Sequence, residues 1–65
     1  MRQWLIDTRK EKAMTQHEVA KLAGISQPSL HEFETGKATP KPETAKKISK
    51  VLGFHWTRFY EEEEP

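Results

Sequence analysis

Residues 16–33 read QHEVAKLAGISQPSLHEF, two short helical patterns divided by Gly24-Ile25-Ser26, a turn too tight to act as a flexible linker. Val19, Ala20 and Ala23 share one face of the first pattern. That pattern opens on a capping box. The Thr15 hydroxyl is placed to accept from the Glu18 amide while the Glu18 carboxylate reaches back. Gly24 stands where a helix ends in a left-handed residue, a conformation that glycine adopts without a Cβ clash. Ser26 is the next N-cap, and Pro28 falls in a first turn, where its missing amide costs nothing. Ala20 is small where two helices must approach closely, and Ile25 and Leu30 plug the space between them. A small residue, a glycine four positions on and an apolar residue six beyond are what a crossed helix pair demands sterically.

Working outward, a first helix is expected over roughly Arg2 to Lys12, with Leu5 and Arg9 one turn apart and Ile6 beside them. In the second helix of the crossed pair, Leu30 and Phe33 are spaced for the buried face, and Gly36 stops it. Lys37 to Pro42 is a loop punctuated by Thr39-Pro40 and Pro42. Pro42 can begin a fourth helix with Ala45, Ile48 and Leu52 inward and Lys46, Lys47 and Lys50 on a solvated face, closed by Gly53. Phe54, Trp56, Phe59 and Tyr60 then cluster in a final short turn or helix, with Phe54 and Phe59 in the core and Trp4 packing beside the group. No strand-period alternation and no internal repeat occur. The expected fold is all-α, a compact bundle of four to five helices, with a domain over 1–60 and an acidic tail over 61–65.

Composition bounds the function. With 65 residues and no cysteine, the chain holds one domain, without disulfides or cysteine-based metal sites. A pocket of roughly 300 Å³ or more, of the kind enzymes use, is hard to carve from so small a core. The net charge is +1, yet Glu61 to Glu64 carry four of the acids; the first 60 positions hold 11 basic and 6 acidic residues, a balance of +5. Such an asymmetry favours a polyanionic partner. His17, His31 and His55 lack metal-ligand spacing, so no metal or cofactor is expected. Asp7, Thr8, Glu11 and Glu43 form no nucleophile–base pattern, which argues against an enzyme. The apolar stretches are too short for a signal peptide or membrane span, and a soluble cytoplasmic setting is the expectation.

The combination of Met14-Thr15-Gln16-x-Glu18-Val19-Ala20-x-x-Ala23-Gly24-Ile25-Ser26-Gln27 with Phe33-Glu34-x-Gly36-Lys37 and Thr44-Ala45-x-Lys47-Ile48-x-x-x-Leu52-Gly53 closely resembles the Xre family of phage-repressor and Cro-like helix-turn-helix domains. The likeness runs from about Leu5 to Tyr60. It implies binding to double-stranded operator DNA, commonly as a dimer, with the second helix of the pair in a major groove about 12 Å wide. By the same resemblance Gln16 holds a phosphate and braces the recognition helix, while Gln27, Pro28, His31 and Glu32 face bases. Ser26 and Ser29 sit beside the DNA backbone, and Lys37 and Lys41 reach phosphates. Arg9 and Glu34 match positions that form a buried ion pair.

Glu32 and Pro28 depart from the common pattern. A carboxylate can accept from cytosine N4 but repels phosphates, and proline offers shape or a thymine-methyl contact rather than a hydrogen bond. Gln27 is the best base reader, since glutamine can bond adenine N6 and N7 together. Trp56 and Tyr60 are candidates for a dimer contact. The expectation is a sequence-specific transcriptional regulator, acting as a dimeric repressor. Its rival is a protein-interaction module, an antitoxin or adaptor, in which Glu32 and the exposed aromatics would meet a protein partner.

Overall fold

In the computed structural model, residues 1–61 are described, and they form four α-helices and a closing 3-10 turn. The helices are α1 (Gln3–Glu11), α2 (Gln16–Ala23), α3 (Gln27–Thr35) and α4 (Pro42–Leu52); the 3-10 helix covers Trp56–Tyr60. No strand occurs among these residues. The acidic tail expected at 61–65 lies outside the described residues except for Glu61, which is exposed.

Side-chain caps set three of the five helix starts. Thr15 Oγ1 accepts from the Glu18 amide at 3.0 Å, and a Glu18 carboxylate oxygen accepts from the Thr15 amide at 2.8 Å, the complete capping box. Ser26 Oγ accepts from the Ser29 amide at 3.2 Å, with Pro28 in the first turn of α3. His55 caps the 3-10 helix by accepting from the Thr57 amide at 3.3 Å. Gly24 ends α2 at φ 72°, and Gly36 ends α3 at φ 84°. The expected α1 shortens by one residue at each end. It closes through Ala13, which takes φ 56°, a left-handed conformation uncommon outside glycine. Ala13 and Met14 amides donate back to Lys10 and Arg9 carbonyls there.

Helix α4 packs against α2 and carries the 3-10 helix, while α3 lies against both α1 and α2. Leu5, Val19, Ala20, Ala23, Leu30, Ala45, Ile48, Leu52 and Phe59 form the core. Each large member contributes about 1.5–3 kcal/mol by leaving water. Phe33 differs from expectation: it is half-buried, packed on the edge of the core, and the buried place one residue further on belongs to Glu34. Phe54 is likewise half-buried, meeting Trp4 and Phe59 edge-on at 5.1 and 5.6 Å between centroids. Trp4 packs within this group, 5.2 Å from Phe59 and beneath the Arg58 guanidinium. The radius of gyration is 10.6 Å, what about 2.2·N^0.38 Å gives for a chain of this length. Among the described residues no helix is long and apolar enough to cross a membrane.

Candidate nucleic-acid interface

The polar centre of the molecule is built from three helices. Arg9 on α1 donates from Nε to Glu34 Oε2 at 2.7 Å and from Nη2 to Glu34 Oε1 at 3.3 Å, and its Nη1 reaches the Met14 carbonyl at 2.9 Å. The Glu34 side chain on α3 is only 3% exposed and that of Arg9 13%. A charge so enclosed must be paired, and the bidentate guanidinium supplies two directed bonds. Gln16, at the start of α2, adds a third donor: its Nε2 lies 2.8 Å from Glu34 Oε1. The same nitrogen lies 3.3 Å from His31 Nδ1. Helices α1, α2 and α3 therefore meet at one carboxylate, and no buried side-chain polar atom among the described residues is left without a partner.

Around this anchor the α3 face opens into a shallow concavity lined by Gln16, Gln27, Pro28, His31, Glu32, Thr35 and Lys37. Helical spacing explains the grouping. Positions 27, 28, 31, 32 and 35 recur at three and four residues, so they share one side of α3. Gly36 then turns the chain so that Lys37 stands at the end of the same row. Gln27, Pro28, His31, Glu32 and Lys37 are all exposed. The lining carries one lysine and one glutamate, so its charge is balanced rather than strongly basic.

Not every residue singled out from the sequence joins the concavity. Ser26 and Ser29 lie at its N-terminal flank and bond each other, Ser26 Oγ to Ser29 Oγ at 2.8 Å. Lys41 is exposed and precedes α4. Trp56 and Tyr60 stand away from that lining, edge to face at 6.0 Å. Lys46, Lys47 and Lys50 are exposed as expected, and Lys46 Nζ also sits 4.9 Å from the Trp56 ring centre, over an aromatic face. The Tyr60 hydroxyl donates to the Pro40 carbonyl at 2.6 Å, fastening the 3-10 helix to the loop before α4.

Two residues escaped sequence reasoning. Thr35 lines the concavity one turn beyond His31, and extending the helical period by four positions would have found it. Arg2 is 6% exposed. Its Nη1 donates to the Phe33 and Ala38 carbonyls, its Nη2 to Thr39 Oγ1 at 3.0 Å, and its guanidinium lies 5.4 Å from the Phe59 ring centre. It clamps the end of α3 and the following loop, which carries Lys37. An arginine beside the chain start gives no sequence signal for that role.

A short helix, a left-handed glycine turn and a second helix with one exposed polar side together define a helix-turn-helix unit. The chain belongs to the helix-turn-helix family whose model matches residues 5–59. It is 45% identical over 62 residues to YqaF of Bacillus subtilis (strain 168), named an uncharacterized HTH-type transcriptional regulator, with 95% of this chain and 82% of that protein covered. No solved structure matches the chain significantly.

Proposed function

We propose that this protein is a sequence-specific DNA-binding transcriptional regulator, not an enzyme, acting in the cytoplasm as a dimeric repressor that occupies an operator. The observation that carries the reading is the single exposed row of Gln27, Pro28, His31, Glu32 and Lys37 along α3, held at a fixed angle by the buried Arg9–Glu34–Gln16 junction. A helix with such a row suits a major groove, where Gln27 would pair with adenine and Glu32 would accept from cytosine. Lys37, Lys41, Ser26 and Ser29 flank the row and would hold phosphates, setting register without reading sequence. Two copies joined through Trp56 and Tyr60 would place their α3 helices in grooves about 34 Å apart and read a roughly palindromic site.

The relative's name as a transcriptional regulator supports the same class of function. The balanced charge of the concavity implies modest nonspecific attraction, with specificity carried by a few polar side chains. Selection from a random duplex library, followed by binding measured across a salt series, tests the proposal. A shared motif and a negative dependence of log affinity on log salt are expected. No enriched motif and no binding at low salt would refute it.

A protein-interaction module remains the competing reading, and one observation favours it. Leu22 is 65% exposed and lies beside Ala23, Gly24 and Val51, with Lys47 and Lys50 at the rim, in a groove separate from the α3 concavity.

A further inference from the structure

Gln16 Nε2 reaches both a carboxylate oxygen of Glu34 and Nδ1 of His31. Glu34 is bonded bidentately to Arg9, and its carboxylate offers only acceptors to its neighbours. The Gln16 atom 2.8 Å away must therefore be the amide nitrogen, because the amide oxygen would face the carboxylate lone pairs. An amide nitrogen carries two hydrogens and no acceptor. With one hydrogen on Glu34, the other points to His31, so Nδ1 accepts. A neutral imidazole that accepts at Nδ1 carries its proton at Nε2.

We infer that His31 is a specificity-determining donor that presents Nε2–H to the nucleic acid, its tautomer imposed through Gln16 by the buried Arg9–Glu34 pair. The inference rests on the DNA reading above and deepens it. Gln16 becomes a positioning residue. Both of its amide hydrogens are engaged inside the protein, and the atom left over is an oxygen that would repel a phosphate. His31 is exposed and lines the concavity with Gln27 and Glu32, so the group it offers DNA differs from theirs: a single donor, with no acceptor beside it. Such a donor seeks a base-edge acceptor in the major groove, purine N7 or guanine O6.

Two substitutions separate the ends of the imidazole. In His31→Gln the longer amide keeps a donor near the place of Nε2. In His31→Asn the shorter one supplies an acceptor near the place of Nδ1 and nothing outward. On the selected duplex, H31Q is expected to bind within about threefold of wild type and H31N about tenfold more weakly, the loss of one directed bond. Equal affinities, or the reverse order, would overturn the inference. Duplexes with 7-deazapurines at single positions locate the acceptor. If it is a purine N7, one such duplex loses affinity for wild type and not for H31N. If H31N instead weakens binding to selected and scrambled duplexes alike, the donor meets a phosphate and the specificity role is overturned.

A readout on the free protein guards against variants that fail to fold. Two-bond proton–nitrogen spectra of wild type, read on the neutral ring at alkaline pH, should show His31 protonated at Nε2, and Gln16→Leu should raise the Nδ1-protonated fraction. Protonation at Nδ1 in wild type, or no change in Q16L, would refute the relay. Should wild type enrich no duplex, the DNA reading fails and the outward half of the inference with it, while these spectra still decide the inward half.

Discussion

Replacing Arg9 by methionine tests the junction on which the α3 surface depends. The substitution preserves the aliphatic stem and removes three hydrogen bonds: two to Glu34 and one to the Met14 carbonyl. Glu34 Oε1 keeps Gln16, but Oε2 loses the partner at 2.7 Å inside a site where the carboxylate side chain is only 3% exposed. Stranding a charge this deeply costs about 3–5 kcal/mol. A domain of this size has a total stability of roughly 3–10 kcal/mol, so R9M is expected to be largely unfolded or close to it near 37 °C. Each kcal/mol corresponds to about 4–8 °C in Tm for a small domain.

The double variant Arg9→Met with Glu34→Leu removes both charges together. It should recover much of the stability, because an apolar pair avoids the desolvation cost that the ion pair carries. Urea unfolding followed by circular dichroism on wild type, both single variants and the double variant gives the coupling energy. A coupling of about 1.5–3 kcal/mol is expected for groups in direct contact within one network. Stability losses that add to within about 0.5 kcal/mol, or an R9M loss below about 1 kcal/mol, would show that this carboxylate is hydrated and that the junction does not hold α3. The folded fraction of the double variant should also bind its selected duplex more weakly than wild type, since Gln16 has lost its anchor.

Other expectations concern the α3 surface, the turn and self-association. Gln27→Ala should cost about 1–3 kcal/mol on the selected duplex and relax preference at one base position, read by repeating the selection. Lys37→Ala should weaken binding to all duplexes similarly and reduce the salt slope by about 1, and a changed preferred base would show that the residue reads sequence. In Gly24→Ala the new methyl meets nothing within 4 Å, so the loss should be the left-handed backbone penalty alone, about 1–2 kcal/mol in urea unfolding, with the selected motif unchanged. Trp56→Ala should shift sedimentation toward monomer, whereas identical profiles for wild type and variant across concentration would remove the aromatic contact from the dimer proposal.

Much of the α3 row was legible before any coordinates, because it depends on periodicity. Gln27, Pro28, His31 and Glu32 fall on one side of a helix whose start Ser26 and whose end Gly36 are both written in residue type. Thr35 obeys the same period. Ser26, Ser29 and Lys41 were harder to place, since a serine beside an N-cap is drawn into capping and a loop lysine has no period to fix it. Phe33 shows the limit from the core side: spacing of three from Leu30 suggested full burial, but the adjacent Glu34 claims the interior because Arg9 and Gln16 wait there.

The sequence by itself determined the helices, their caps and the crossed pair, since these follow from local chemistry: a hydroxyl able to reach an amide, a glycine free of Cβ, apolar residues at helical intervals. Local chemistry did not determine what meets across 25 or 31 positions of chain: Arg9 on Glu34 was expected only through the family resemblance, and Arg2 on the Phe33 carbonyl gave no signal at all. Those pairings depend on how α1 is laid against α3, which only packing of the whole core decides. The same holds for His31. Its place on the exposed face was a matter of period, but the direction of its donor came from an amide on another helix and a buried carboxylate on its own.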